Sequence, residues 1–285
     1  MTARRFVRGA LCLAFVTVAT PSLAQGALQD ASPPAALAVG ETFTLRSKVL
    51  GEVRRINVYA PPAYTDSAAV RLPVLYMPDG GIAEDFLHVA GLLQVSIGNG
   101  TMRPFLLVGI ENTQRRRDLT GPTQSPSDRK IAPRVGGSAA FRAFIRSELM
   151  PVVNARYRTT GETAIMGESL AGLFVVETLF AEPALFDTYI AFDPSLWWNG
   201  GALANGPGPR WSTGGGRAKS LYLSVSGEPS LATLVPQLAD TLRKSAPPNL
   251  MVYFHPMPHE THGTIYHPAA LIALRRLFAP GAEAR

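Results

Sequence analysis

Cysteine is almost absent from this chain: among its 285 residues there is a single one, Cys12. Cys12 lies within the first 24 residues, which we expect to be removed, so the mature chain would carry no thiol. A cysteine nucleophile and a disulfide framework are therefore excluded for the mature chain. A chain of this length can fold without disulfides because its hydrophobic core is large.

Long hydrophobic runs are also lacking. The most apolar segment, GALCLAFVTVA, is too short to span a bilayer. It follows Arg4, Arg5 and Arg8 and precedes the small residues SLA, which is the order of a secretory signal peptide. We therefore predict a signal peptide at 1–24, a periplasmic or secreted protein, and no stable membrane anchor after cleavage.

Charge is sparse and nearly balanced. Charged residues make up 17% of the chain, and the net charge of +6 falls to +3 without the three arginines of the signal segment. This excess is too mild to indicate a nucleic-acid partner. No cluster has metal-ligand spacing, and no glycine loop precedes a helix in the manner of a phosphate site. We expect neither a metal nor a cofactor.

Hydrophobic patterning predicts one domain. Residues 25–40 are rich in alanine and proline without periodicity, which is typical of a flexible tail. From residue 41 onward, apolar runs such as LPVLYMP alternate with helical patterns, and continuous apolar runs are typical of strands buried on both faces. The alternation predicts a single α/β domain over 41–285 with a mostly parallel, doubly wound sheet.

Three segments of that domain have distinct patterns. Residues 111–137 are predicted to form a long polar loop, residues 138–157 one continuous helix, and residues 199–217 a glycine- and proline-rich surface loop.

Ser169 stands in an unusual setting, the segment MGESLAGLF. Gly167 precedes it, and Ala171 and Gly172 follow. A strand that turns sharply into a helix brings two backbones close together, so it requires small residues at these positions. The pattern therefore predicts a nucleophile elbow, although a helix N-cap serine would have the same local sequence.

Polar residues at the ends of the other predicted strands favour the nucleophile elbow over the helix N-cap. In an open parallel sheet, ligands bind at the carboxyl ends of the strands. The residues delivered there, in chain order, are Asp79, Gly80, Gly81, Glu111, Asn112, Ser169, Asp193, Glu228, His255, His259, Glu260 and His262. A serine, then an acid, then a histidine is the order of a hydrolase triad on an α/β sheet.

The chemistry requires these residue types. A serine hydroxyl is too weak an acid to attack an ester unless an imidazole accepts its proton, and a carboxylate orients that imidazole. The oxyanion needs fixed donors, each worth about 3 kcal/mol of barrier. We expect the amide of Leu170 and that of Gly81 or Gly80 to supply them.

Four motifs, GESLAGLF, IENTQRRRDLT, FDPSLWWN and HETHGT, resemble those of the "putative esterase" family of α/β-hydrolases over residues 41–278, in particular its periplasmic siderophore-esterase branch. The resemblance implies an α/β-hydrolase fold with Ser169 as nucleophile and His262 as base. It places the acid at Glu228. Ala171 departs from the usual glycine, and because some siderophore esterases work with a serine–histidine dyad, the acid stays open.

Other residues compete for these roles. His259 is the rival base, whereas His255 lies within a strand pattern and fits a packed position. Asp193 is the rival acid because it also ends a strand. Of the adjacent Trp197 and Trp198, at least one should face a cleft or solvent, since neighbouring side chains in extended backbone point opposite ways. We expect a substrate wall, with core packing as the alternative.

Arg115, Arg116 and Arg117 follow a strand end directly. Guanidinium groups pair with carboxylate, phosphate or catecholate oxygens, so these arginines predict an anion-binding rim, with a solvated loop as the alternative.

Together these features predict an exported serine esterase that acts on a small-molecule ester through an acyl-enzyme. The resemblance narrows the substrate to an ester-linked siderophore or a related anionic or aromatic ester. An acyltransferase that uses the same acyl-enzyme is one alternative, and a non-catalytic binding module on a hydrolase fold is another.

Overall fold

The computed structural model describes residues 32–206 and 217–281. The predicted signal peptide at 1–24 and residues 25–31 of the predicted tail lie outside these ranges. Residues 32–39 have no helix or strand and are exposed. All strands and helices below belong to one compact unit, Ala38–Arg285. In the part of the chain that the structure describes, every helix is too short or too polar to cross a membrane.

Eight strands form one sheet. They are β1 Glu41–Arg46, β2 Val53–Tyr59, β3 Leu72–Pro78, β4 Leu106–Ile110, β5 Thr159–Glu168, β6 Thr188–Phe192, β7 Lys219–Ser226 and β8 Leu250–Met257. Their order is β1-β2-β4-β3-β5-β6-β7-β8. Only the β1–β2 and β2–β4 pairs of this sheet are antiparallel. The predicted mostly parallel sheet of an α/β-hydrolase fold is confirmed.

Helices connect the strands. They are α1 Pro62–Thr65, α2 Phe86–Gly98, α3 Arg115–Leu119, α4 Pro126–Ile131, α5 Ser138–Phe144, α6 Met150–Arg156, α7 Leu170–Ala181, α8 Trp198–Asn205, α9 Leu234–Ser245 and α10 Tyr266–Leu277.

Apolar residues cover both faces of the sheet, which is why β3 is buried along its whole length. Val74 and Tyr76 point into a core that includes residues of α5, α6, α7 and α9. The alternate residues, Leu75 and Met77, point into a second core beneath α2 and α10. This alternation is what a strand between two helical layers requires, and it leaves only the strand ends open for a site.

Two predicted segments differ from the structure. Residues 111–137 contain the short helices α3 and α4 rather than only loop, and residues 138–157 are α5 and α6 separated by a π-helical turn, Ile145–Leu149. In the predicted loop 199–217, α8 occupies the first part, with a kink of positive φ at Asn199, Gly200 and Gly201; residues 207–216 lie outside the described residues.

A fully buried guanidinium fixes α3 to the sheet. Arg54 of β2 is 0% exposed, donates to the buried carboxylate of Asp118 in α3, and forms an ion pair with Glu52 at 2.7 Å. Asp118 also accepts from Nε of Arg117 at 2.6 Å. A buried charge is tolerated only when it is paired, so this network determines where the arginine-rich helix can lie.

We expect Arg54→Met to lower the free energy of unfolding by about 3 kcal/mol, because it leaves the buried carboxylate of Asp118 undercompensated. The neighbouring Arg55, half-exposed beside Glu111 at 3.8 Å, is a matched control, and Arg55→Met should cost less than about 1 kcal/mol. Urea unfolding measures both. Equal losses would contradict a structural role for the buried pair.

Candidate active site

Ser169 lies at a sharp turn between β5 and α7. Its backbone has φ 61° and ψ −123°, a conformation that costs a non-glycine residue free energy and is typical of functional sites. A Cβ at Gly167 would lie 2.6 Å from Cβ of Ala171, and one at Gly172 would lie 3.0 Å from the carbonyl oxygen of Phe192. The small residues are thus required by close packing, and the predicted elbow is confirmed.

The hydroxyl of Ser169 contacts a histidine. Its Oγ lies 3.0 Å from Nε2 of His262, which follows β8. The rival histidines lie elsewhere: His259 is exposed, and His255 is within β8 with its ring 6.5 Å from that of Tyr222. The structure therefore brings His262, rather than either rival, to Ser169.

The carboxylate beside that histidine belongs to Asp193. Its Oδ2 lies 3.0 Å from Nδ1 of His262. Asp193 follows β6 at φ 42° and is 0% exposed. Burial alone would raise the pKa of Asp193, but hydrogen bonds from His262, and from the amide and hydroxyl of Ser226 at 2.6 Å each, hold it below its ordinary value of 3.8. Asp193 is thus ionised at neutral pH.

Glu228 requires a correction. Its amide donates to Oγ of Ser226 at 3.1 Å, and its carboxylate accepts from the hydroxyl of Ser230 at 3.5 Å. The charge of Glu228 raises the pKa of His262 only as the weakest of five contributions. The reason is position: Glu228 lies two residues beyond β7, whereas Asp193 follows the strand next to β5 directly.

A second carboxylate, which the sequence analysis did not single out, also contacts the histidine. Oε1 of Glu168 lies 3.2 Å from Nε2 of His262. Burial raises the pKa of Glu168 to about 7, against the opposing charges of His262 and Arg115. The available signal was its place directly before the serine of an elbow, at the end of a strand.

The pKa of His262 is raised above its ordinary value of 6.5. The hydrogen bond from Nδ1 to Asp193 is the main cause, and the charge of Glu168 adds to it, while partial burial opposes both. Because the proton is held to higher pH, the neutral imidazole that can accept a proton from Ser169 is populated only as the pH rises through this raised pKa.

The amides predicted to donate to the oxyanion differ in whether they already donate to another group. Leu170 is the first residue of α7, where an amide has no acceptor within the helix. The amide of Gly81 donates to Oε2 of Glu84 at 2.7 Å, and that of Gly80 donates to the carbonyl of Ile110 at 3.0 Å. An oxyanion at Gly81 would have to displace Glu84.

The three arginines begin α3 rather than forming a solvated loop. Arg115 pairs with both oxygens of Asp79 at 2.7 and 2.8 Å, Arg116 donates to the carbonyl of Ile131, and Arg117 donates to Glu52 at 2.7 Å. They line a cavity of about 480 Å³ together with Arg134. The cavity is strongly basic, although Arg115 and Arg116 each have a partner and Arg117 has two, Glu52 and Asp118.

The adjacent tryptophans have different environments. Trp198 is 5% exposed and its Nε1 donates to the carbonyl of Gly121 at 3.0 Å. Trp198 is therefore part of the core and not the predicted substrate wall. Trp197 is partly buried, with its ring 6.0 Å from that of Trp198.

A second cavity, of about 430 Å³, opens beside Glu168 and His262. Asp85, His88 and His267 also line it, and Nε2 of His88 lies 3.1 Å from Nδ1 of His267. Within residues 32–206 and 217–281, no group of three or more metal-ligating side chains is arranged to hold a metal ion.

Comparisons with known proteins show what this chain is similar to. A family model described as "Putative esterase" matches residues 47–230. The chain is 30% identical over 168 residues to the ferri-bacillibactin esterase BesA of Bacillus subtilis. This match covers 52% of this chain and 56% of BesA. The chain is also 33% identical over 189 residues to the siderophore triacetylfusarinine C esterase of Aspergillus fumigatus, and this match covers 60% of each protein.

The matched region thus spans less than two thirds of the length of either curated relative. Among solved structures, an IroE-like serine hydrolase from Shewanella oneidensis superposes with a TM-score of 0.70 at 28% identity, covering 84% of this chain and 80% of that one.

We expect Asp193→Asn to lower the pKa of His262 more than Glu228→Gln does, because only Asp193 combines a direct hydrogen bond with its charge. An NMR titration of the His262 ring in each variant measures this difference without any substrate. A larger shift in Glu228→Gln would indicate that Glu228 is the acid that contacts His262. Two equal, small shifts would indicate a serine–histidine pair without an acid.

Proposed function

Because the chain belongs to the "putative esterase" family, we propose that it is a serine hydrolase that cleaves carboxylic esters through an acyl-enzyme. The observation that carries this proposal is the pair of 3.0 Å contacts that link Ser169, His262 and Asp193. The line of serine, imidazole and buried carboxylate is the arrangement that activates a hydroxyl for attack on an acyl carbon.

In acylation, Nε2 of His262 takes the proton of Ser169 as Oγ bonds to the ester carbon. The carbonyl electron pair moves onto oxygen, where the amide of Leu170 can stabilise it. Asp193 accepts from Nδ1 and stabilises the imidazolium. When the oxyanion collapses, the bond to the alcohol oxygen breaks, and the imidazolium returns its proton to that oxygen.

Deacylation repeats these steps with water. Nε2 takes a proton from water as its oxygen bonds to the acyl carbon, and the bond to Oγ then breaks. Ser169 recovers its proton and the carboxylic acid leaves. The side chain of His262 is 41% exposed, so water can reach the base. Alcohols could reach it as well, so an added alcohol that competes with water for the acyl group would yield a new ester.

For the substrate, we propose an ester-linked siderophore or a related anionic aryl ester. One relative is named a siderophore esterase and another a ferri-bacillibactin esterase. The basic cavity with Arg115 supports recognition of an anionic group. Arg115 also interacts electrostatically with Glu168, the residue directly before Ser169.

We further propose that the protein is exported, with cleavage after residue 24. The support is the sequence of 1–24 alone. N-terminal sequencing of the protein from its native cell envelope or medium should begin at Gln25, whereas an intact N-terminus would contradict export by this route.

Ser169→Ala should abolish both covalent labelling by a fluorophosphonate and ester hydrolysis, because the hydroxyl supplies the attacking oxygen. The loss of kcat is expected to be on the order of 10⁴-fold or more. Ser195 is the matched control, since its Oγ lies 3.5 Å from that of Ser169, and Ser195→Ala should still be labelled. Labelling that survives in Ser169→Ala would contradict the proposal, and a folded wild-type chain that is never labelled would indicate a binding module.

Arg115→Gln should raise KM for anionic aryl esters by the equivalent of about 1 to 3 kcal/mol, the usual strength of a charge-assisted contact. KM for small neutral esters should change little. The control is Arg243→Gln on α9, where Arg243 pairs with Asp240. Added salt should weaken the wild-type preference for anionic esters. Equal losses on both ester classes would mean that Arg115 only supports the structure.

A further inference from the structure

His262 lies between two carboxylates. Asp193 is 3.0 Å from Nδ1, and Glu168 is 3.2 Å from Nε2. The triad requires the first contact, but the second is at the nitrogen that must accept the proton of Ser169. Oγ of Ser169 and Oε1 of Glu168 thus compete for the same ring atom, at 3.0 and 3.2 Å.

The competition depends on the proton at Nε2. When Nε2 is protonated, the ionised carboxylate of Glu168 accepts from it and stabilises the imidazolium. When Nε2 is unprotonated, its lone pair faces a carboxylate oxygen, and that arrangement is unfavourable unless Glu168 itself is protonated. The pair therefore retains one proton, carried by either partner, until the solution pH is high enough to remove it.

We propose that Glu168 is a positioning residue whose carboxylate shares a proton with Nε2 of His262 and delays release of the free base to higher pH. This inference rests on the proposed function, because it assigns Glu168 a role in the same reaction. While the proton is shared, Nε2 cannot accept from Ser169, so the enzyme is held inactive at mildly acidic pH.

The surroundings of Glu168 favour the state in which Glu168 and His262 share one proton. The side chain of Glu168 is 17% exposed, and burial raises its pKa to about 7. The charged and titratable groups around Glu168 are Arg115 of α3, Asp79 after β3, Asp193 after β6, His262 after β8, Asp85 before α2, His88 of α2, and Tyr266 and His267 of α10. Arg115 favours ionised Glu168, while Asp79 and Asp193 oppose it.

The positive charge of Arg115 is partly neutralised by Asp79. Both oxygens of Asp79 pair with Arg115, which leaves His262 as the cation in direct contact with Glu168. His262 is also the opposing charge with the larger effect on the pKa of Glu168, ahead of Arg115. His262 is therefore the charged neighbour that most favours the ionised form of Glu168, against the effect of burial.

The test is the pH profile of kcat/KM for a neutral ester in Glu168→Gln. The glutamine keeps the shape but removes the acidic group, so the ascending limb should move to lower pH. The ratio of variant to wild-type kcat/KM should be at least about ten-fold larger at about pH 6 than at about pH 9. Asp85→Asn is the matched control because it removes a carboxylate from the same cavity. The ascending limb of the pH profile should move much less in this variant than in Glu168→Gln.

An NMR titration of His262 accompanies the kinetics and needs no substrate. The pKa of His262 should be lower in Glu168→Gln than in the wild type. An unchanged pKa, or a shift no larger than that in Asp85→Asn, would overturn the proposal. If the titration shows the shift but fluorophosphonate never labels Ser169, the shared proton stands and the esterase proposal fails, so the two failures are distinguishable.

Discussion

The contact between a histidine and a fully buried aspartate is the interaction on which the site depends. Asp193 is 0% exposed, and two hydrogen bonds from Ser226 of the neighbouring strand help to keep it ionised. That charge fixes the orientation of His262 and raises its pKa. If Asp193 were neutral or turned away, Nε2 would no longer be directed at Ser169, and the elbow would present a hydroxyl without a base.

The sheet supplies the positions for these groups. Ser169 and Asp193 directly follow the neighbouring parallel strands β5 and β6, and Ser226 is the last residue of β7, the next strand in the sheet. The reacting groups and their support therefore lie across three adjacent strand ends. Ser169 and Asp193 both have positive φ, so the backbone departs from strand geometry at the two residues that flank His262. Local backbone strain at these two residues is balanced by the packing of both sheet faces.

Much of this could be predicted from the sequence, because hydrophobic periodicity and strand-end chemistry are local signals. The alternation of strands and helices, the elbow and His262 all follow from short segments. The sequence could not decide between Asp193 and Glu228, because each follows a predicted strand. Only the turn after β6, with the hydrogen bonds from Ser226, decides which carboxylate reaches the ring. Glu168 was missed although its place directly before Ser169 was a local signal, because nothing in the sequence shows that its side chain reaches the ring of His262.

The acyl-enzyme is the central claim, and intact-mass spectrometry under rapid quench tests it most directly. Mixed with a slowly hydrolysed aryl ester, the wild-type chain should gain the mass of the acyl group within the first turnover, and peptide mapping should locate that mass on Ser169. The adduct should disappear as the acid product forms. Product formation without any adduct, or an adduct on another residue, would contradict the account.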